Sequence, residues 1–167
     1  GIVSHAQTDP VINRILVAAR PLPGFILSIS KQLITGCKMT FDNIELFPTT
    51  TGVNDDDHLT IGGCDVMQLA KEYGTPLYIY DDVTLRGMCR EFISEFSSRY
   101  PAARVAYASK AFVNPAIARV VAEEGMSLDI VSGGELAVAK VANFPADRIY
   151  FHGNNKTPEE LEFALDY

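Results

Sequence analysis

The stretch that decides the fold is residues 104–131, RVAYASKAFVNPAIARVVAEEGMSLDIV. It has a strand-like run over Arg104–Ser109, an amphipathic segment over Pro115–Glu124 and a second strand-like run over Met126–Val131. A helix between two short strands is typical of a β-α-β unit, in which the strands are parallel and the crossover is right-handed. The stretch therefore predicts an α/β fold with a buried parallel sheet.

The same alternation continues on both sides of this unit. Further strands are predicted over Pro76–Tyr80 and Arg148–Phe151, and further helices over Thr84–Ser98 and Glu135–Asn143, with another beginning at Pro158. Four β-α units fit either a doubly wound open sheet or the first half of a (β/α)8 barrel. Neither a G-x-G-x-x-G nor a G-x-x-x-x-G-K-[ST] motif is present, which weakens both common nucleotide-binding interpretations.

Local signals mark several helix ends. Asp65 is a candidate N-cap for a short helix that ends at Gly74, and capping-box patterns occur over 132–135 and 157–160. Three apolar residues in the second helix have helical spacing and are expected to face the core: Met88, Phe92 and Phe96.

Composition limits the classes of function. The chain has 167 residues, 47% of them apolar, and a formal net charge of -7, so it can bury a core and lacks the basic surface of a nucleic-acid-binding protein. The most apolar run, Phe25–Ile29, is too short to span a membrane. We expect a cytoplasmic enzyme acting on a small molecule, with no nucleic-acid or membrane partner.

Charge and turn residues divide the chain into three segments. Residues 1–38 are basic and acid-poor, and we interpret them as a leader or a non-native segment before Met39, with an organellar transit peptide as the alternative. Residues 39–63 are expected to be an extended N-terminal leader with a loop, and residues 64–167 to be the partial barrel.

No metal site is predicted. The three cysteines are far apart and form no C-x-x-C pair, so neither a disulfide framework nor a zinc site is indicated. His58 lies beside the acidic run Asp55–Asp57, which is better explained as an acidic loop because no second ligand cluster accompanies it.

Lys110 is the strongest candidate for chemistry. It lies at the predicted C-terminal end of a strand, the edge at which parallel α/β folds place their active sites. Period-two alternation puts it on one face with Ala106 and Ala108, whose small side chains leave room for a flat ligand. A desolvated lysine there could act as a nucleophilic amine, although most strand-end lysines simply reach into solvent.

The segment from VAYASKAF to the end of the chain resembles the diaminopimelate decarboxylase family, within the fold-type III, alanine-racemase-like enzymes that use pyridoxal 5'-phosphate. The resemblance extends from about Gly62 to Tyr167 and includes GTPLYIYD. It implies the first half of a pyridoxal-phosphate-binding (β/α)8 TIM barrel, with the C-terminal β-domain absent from this chain. It also implies decarboxylation of meso-2,6-diaminopimelate to L-lysine, the last step of lysine biosynthesis, by a homodimer.

The resemblance assigns roles to individual residues. The lysine of Y-A-x-K-A, here Lys110, is the Schiff-base lysine of this class. Asp129 matches an acid near it, although it could equally be a barrel-wall acid paired with a neighbouring base. His152 and Asn154 are candidates for the cofactor pocket, although His152 could equally orient its loop. Two glycines and an acid have structural explanations as well, in shaping a turn and capping a helix: Gly133, Gly134 and Glu135.

Alternative functions remain open within the same resemblance. Ornithine, arginine and carboxynorspermidine decarboxylases and alanine racemase share the lysine strand, and a non-catalytic pyridoxal-phosphate-binding or interaction module would retain it too. The resemblance places the phosphate-binding loop, the proton donor and the substrate arginines outside this chain. The chain alone is therefore expected to be inactive.

Overall fold

The computed structural model describes residues 2–3 and 15–19 as backbone strands and residues 44–167 in full. The predicted leader over 1–38 and the Met39 boundary fall largely outside these described residues. The chain divides into two compact units, residues 1–84 and residues 85–167. No helix in the described part of the chain is long and apolar enough to cross a membrane.

The first unit contains a small antiparallel meander of strands β3 (Gly52–Val53), β4 (Leu59–Ile61) and β5 (Cys64–Asp65). The β4–β5 turn consists of two glycines, Gly62 and Gly63, with φ of 59° and 81°. Two successive positive φ angles are what a two-residue type I′ hairpin needs, and glycine adopts them without a steric penalty. The region expected to be an extended leader therefore contains an ordered hairpin.

Polar side chains organise the acidic loop between β3 and β4. The Asn54 carboxamide oxygen accepts hydrogen bonds from the backbone N–H groups of Asp56 and His58. The His58 ring nitrogen Nδ1 lies 2.8 Å from Oδ2 of Asp65, and this hydrogen bond is the main reason that the pKa of His58 is raised and that of Asp65 lowered. The histidine of this loop thus has a structural partner at the end of β5.

Helix α1 (Val66–Tyr73) begins and ends where the sequence indicates. Asp65 caps it by accepting hydrogen bonds from the N–H groups of Met67 and Gln68, and Gly74 ends it with φ of 80°. Strand β6 (Leu77–Asp81) follows, within one residue of its predicted position.

Strand β6 differs from prediction in its pairing. It lies antiparallel to β2 (Ile15–Ala19), which in turn pairs with β1 (Ile2–Val3). All five β2 residues have a partner in β6, because ILVAA can pair over its whole length with LYIYD. The expected parallel arrangement is therefore confirmed for three of the four predicted strands and not for this one.

The second unit is built on a parallel sheet of β7 (Ala106–Ala108), β8 (Ser127–Ile130) and β9 (Ile149–Phe151), in that order. Helices α3 (Pro115–Glu123) and α4 (Gly133–Val141) connect the strands, and α5 (Pro158–Asp166) follows β9. A 3-10 turn over Ala146–Arg148 precedes β9. The β-α alternation predicted from the sequence is confirmed over this whole unit.

The core of this unit lies around α3, which packs against both β8 and α4. Leu128 and Ile130, two residues apart in β8 and therefore on the same face of the strand, are completely buried. The helices contribute further buried side chains, and Phe144 closes the end of α4. These core residues include Ile117, Ala118, Val121, Leu136 and Ala139.

One helix face behaves differently from prediction. In α2 (Asp82–Ser97) the side chains of Met88, Phe92 and Phe96 are exposed rather than buried in the described structure. Arg86 and Arg90 face α3. Successive residues of a helix are rotated by about 100°, so Met88, two residues after Arg86, lies roughly 200° around the helix axis and points to nearly the opposite side. The ion pairs therefore turn the apolar stripe away from α3, and the expectation that it faces the core is wrong for these residues.

The contact between α2 and α3 is an ion-pair network around Glu124. Its two carboxylate oxygens accept hydrogen bonds from Arg86 at 2.9 Å and from Arg90 at 2.6 and 2.8 Å, while Arg86 also reaches Glu123 at 2.8 Å. The hydrogen bond from Arg90 lowers the pKa of Glu124 the most, and Arg86 adds to it.

We expect Glu124→Gln to destabilise the protein by about 1–2 kcal/mol, because the amide accepts fewer charge-assisted hydrogen bonds. The matched control, Glu123→Gln, removes one exposed pair and should cost well under about 1 kcal/mol. Because folding lowers the pKa of Glu124, its contribution is complete above the ordinary carboxyl pKa and is lost as the pH falls through the lowered value. Urea unfolding at several pH values measures this; equal losses for both variants at neutral pH would contradict it.

Candidate active site

Three residues predicted from the sequence lie at one edge of the parallel sheet. The register pairs Ala108 with Asp129 and Asp129 with Tyr150, so these positions share a face of adjacent strands. Lys110 and His152 each follow that row by two residues, just beyond the ends of β7 and β9. Lys110, Asp129 and His152 are therefore grouped at the carboxyl ends of β7, β8 and β9, the edge where α/β proteins bind ligands.

Lys110 itself lies in the turn after β7, because the strand ends at Ala108 rather than at the predicted Ser109. Its side chain is exposed. The desolvation expected for this lysine is thus not provided by the described residues.

The Lys110 turn is held from both sides. Ser109 is buried, and both its N–H and its hydroxyl donate to the carbonyl oxygen of Asp129, at 3.0 and 2.6 Å. The hydroxyl of Tyr107 donates to the carbonyl of Phe112 at 2.7 Å, across the turn. These bonds restrict the backbone that carries Lys110 and tie it to the strand of Asp129.

Asp129 and His152 are neighbours at the same edge. His152 Nδ1 lies 3.9 Å from Oδ1 of Asp129, and the side chains are 69% and 30% exposed, respectively. The N–H of His152 donates to the carbonyl of Ile130 at 2.9 Å, which extends the β8–β9 pairing by one residue. At this distance the two groups attract electrostatically when the imidazole is protonated, without a direct hydrogen bond.

Gly133 and Glu135, which follow β8, have structural partners. Ser132 caps α4 by accepting from the N–H of Glu135 at 3.3 Å, but the Glu135 carboxylate accepts from the N–H of Val131 at 2.5 Å instead of completing a capping box. The N–H of Gly133 donates to the carboxylate of Glu160 at 2.7 Å. Asn154 is exposed in the loop after β9. The capping box at α5 is complete between Thr157 and Glu160.

Within residues 44–167 no group of three histidine, cysteine or acidic side chains is arranged to hold a metal ion. What the sheet edge does offer is a primary amine, a carboxylate and an imidazole around the small residues Ala106 and Ala108. An amine of this kind can condense with an aldehyde.

Comparison with known proteins identifies the class. Residues 86–167 match the family described as "Pyridoxal-dependent decarboxylase, pyridoxal binding domain". The second half of the chain is therefore similar to the pyridoxal-binding domain of these decarboxylases. Diaminopimelate decarboxylase of Bacillus methanolicus is 53% identical over 121 residues, and that of Bacillus subtilis is 52% identical over 118.

Solved structures agree on the fold. A crystal structure of diaminopimelate decarboxylase from M. jannaschii in complex with L-lysine matches with a TM-score of 0.59 at 32% identity, over 71% of this chain and 28% of that one. The two Bacillus matches cover 72% and 71% of this chain and 28% and 27% of the relatives. The chain thus spans little more than a quarter of its relatives' length and matches the N-terminal barrel portion of the solved decarboxylase structure.

The residues around Lys110 leave room for pyridoxal phosphate. Lys110 is accessible at the sheet edge, and the preceding alanines place no bulk beside it. Sequence reasoning did not single out Ser109, Tyr107 or Glu160 as residues that support this edge. Period-two alternation places Tyr107 and Ser109 on the opposite face from Lys110, and this pattern could have indicated their supporting role. No local pattern connects Glu160 to Gly133.

Proposed function

We propose that this chain is part of an enzyme that decarboxylates meso-2,6-diaminopimelate to L-lysine with pyridoxal phosphate. The observation that carries the proposal is the placement of Lys110 in a braced turn beside Asp129, at the carboxyl edge of the sheet. The relatives support the proposal as well, because about half of the aligned residues are identical to those of enzymes named diaminopimelate decarboxylase. The solved complex of one such enzyme contains L-lysine, the product expected here.

Each side chain at the edge has a role in this proposal. Bound pyridoxal phosphate supplies an aldehyde that combines with amines and a ring that accepts the electron pair left when carbon dioxide departs. The Lys110 amine would hold the cofactor through that aldehyde and would give up its place to the substrate amine. The Asp129 carboxylate provides negative charge that stabilises a protonated nitrogen beside it, and His152 can hold or release a proton at Nδ1.

Substrate choice is tested with the full-length protein loaded with pyridoxal phosphate. Release of carbon dioxide is measured from meso-2,6-diaminopimelate, ornithine and arginine at equal concentrations. We expect diaminopimelate to have the highest kcat/KM by at least roughly tenfold, the discrimination that one well-placed polar contact provides. A higher kcat/KM for ornithine or arginine would reassign the substrate, and no release from any of them would favour a non-catalytic binding module.

We further propose that the full-length protein is a cytosolic homodimer acting on free amino acids. This rests on the resemblance to the family and on the small-molecule substrates of the named relatives. Light scattering coupled to size-exclusion chromatography should give twice the mass of one full-length chain. A monomeric mass with full activity would contradict the dimer.

A further inference from the structure

Glu160 connects two helix N-termini that are far apart in sequence. Its Oε1 accepts from the N–H of Gly133 at 2.7 Å, and its Oε2 accepts from the N–H of Thr157 at 3.0 Å. Gly133 is the first residue of α4, and Thr157 is the N-cap of α5. One carboxylate thus satisfies a backbone donor at the start of each helix, where such donors have no partner within the helix.

Electrostatics favours the ionised form of this side chain. Helix N-termini carry partial positive charge, which stabilises a carboxylate placed on them. The hydrogen bonds from Thr157 and then Gly133 lower the pKa of Glu160, with a further contribution from the charge of Lys156. Glu160 therefore remains a charged double acceptor throughout the neutral range.

The absence of a side chain at Gly133 leaves room for this contact. A Cβ built on Gly133 would lie 3.0 Å from Cγ and 3.2 Å from Oε1 of Glu160, closer than ordinary van der Waals contact. At Gly134 the nearest atom to such a Cβ is Oγ of Ser132, at 3.8 Å. The two adjacent glycines thus differ: only the first makes room for Glu160.

The two loops joined by Glu160 are those that leave the proposed active edge. The β8–α4 loop follows Asp129, and the β9–α5 loop contains His152. We propose that Glu160 is a positioning residue, which holds the loop that carries His152 against the loop that follows Asp129. The proposal rests on the proposed function. Because the Gly133 N–H is already bound to a carboxylate, it also implies that this N–H does not hold the cofactor phosphate.

The test compares Glu160→Gln with Glu162→Gln in the full-length protein. The amide can accept through only one of its two polar atoms, so Glu160→Gln must release one loop, whereas Glu162 is exposed on the same helix. A displacement of about 1 Å at reacting groups can cost roughly 100-fold in rate. We expect kcat to fall by about that factor in Glu160→Gln with KM changed far less, and the pH profile of kcat to shift. Glu162→Gln should match the parent protein.

Hydrogen exchange gives a readout independent of activity. In Glu160→Gln, the amides of both 131–136 and 152–158 should exchange faster, because either loop opens more readily once the hydrogen bonds from Gly133 and Thr157 to this side chain are weakened. Gly133→Ala should reproduce this pattern by displacing Glu160, whereas Gly134→Ala should not. The double variant Gly133→Ala with Glu160→Gln should be little worse than either single variant, because both remove the same contact.

The outcomes separate the two proposals. Unchanged exchange in both loops, or an effect of Glu162→Gln equal to that of Glu160→Gln, would overturn the positioning role. If the parent protein decarboxylates none of the amino acids tested, the proposed function fails, while the exchange pattern still decides whether Glu160 joins the loops.

Discussion

Replacing Lys110 with alanine is expected to abolish covalent attachment of pyridoxal phosphate to the full-length protein. It should also lower the rate of decarboxylation by at least roughly the 10²–10⁴-fold that loss of one proton-transferring group costs. Alanine has no amine, so neither the cofactor anchor nor a transferable proton remains at this position. The visible absorbance of the lysine-bound cofactor and the release of carbon dioxide measure the two effects.

Two further variants test whether the effect comes from the Lys110 amine itself. One keeps the positive charge at this position, and the other removes a different lysine. Lys110→Arg retains a positive charge but stays protonated at all accessible pH values, so it should be as inactive as the alanine variant. Lys71→Ala, at an exposed position in α1, should leave absorbance and rate unchanged. Retention of the visible absorbance in Lys110→Ala would show that another residue anchors the cofactor.

The surroundings of Lys110 explain why this variant is a clean test. Ser109 and Tyr107 hold the turn through hydrogen bonds that do not involve the lysine side chain. Because the Lys110 side chain is exposed, its removal creates no cavity in the described structure. A loss of function in Lys110→Ala is therefore attributable to chemistry rather than to unfolding, and an unchanged urea midpoint would confirm this.

The second large effect is on stability. Phe144→Ala should destabilise the protein by about 3–5 kcal/mol, the usual cost of removing a buried aromatic ring. Phe144 is 1% exposed, it closes the end of α4, and the guanidinium of Arg148 lies 5.5 Å from its ring centroid. The substitution loses both the apolar burial and this cation–π contact.

Controls distinguish the lost volume from the change of residue type. Phe144→Leu keeps most of the volume and should cost less than half as much as alanine. Leu165→Ala, at a side chain that is 87% exposed, should stay within about 0.5 kcal/mol of the parent. Urea unfolding with an unchanged slope measures all three. A loss below about 1 kcal/mol for Phe144→Ala would mean that this core is loosely packed.

Helix caps and strand rhythm were predictable because their determinants are local. Asp65, Ser132 and Thr157 each accept from N–H groups two or three residues ahead, so residue type and spacing suffice to predict them. Strands β7, β8 and β9 were likewise located to within about two residues by their residue types. The grouping of Lys110, Asp129 and His152 followed from the parallel register that this rhythm implies.

Three features were not predictable in this way. The antiparallel partner of β6 lies about 60 residues earlier in the chain, and no sequence period indicates such a pairing. The apolar stripe of Met88, Phe92 and Phe96 was expected in the core, but the arginines on the other side of α2 engage α3. The Glu135 side chain accepts a hydrogen bond from the Val131 N–H instead of completing its capping box, and residue spacing alone does not indicate this contact.

The sequence by itself determined the α/β class, the helix caps and the lysine motif, and through the motif's resemblance it indicated a pyridoxal-phosphate enzyme. Only the tertiary structure decided that Lys110 is exposed in a turn braced by Ser109, and that Glu160 joins two loops across 27 residues. The physical reason is the separation along the chain of the residues that interact. Interactions between residues a few positions apart are determined by the local residue types, whereas contacts between distant segments form only when packing brings the segments together.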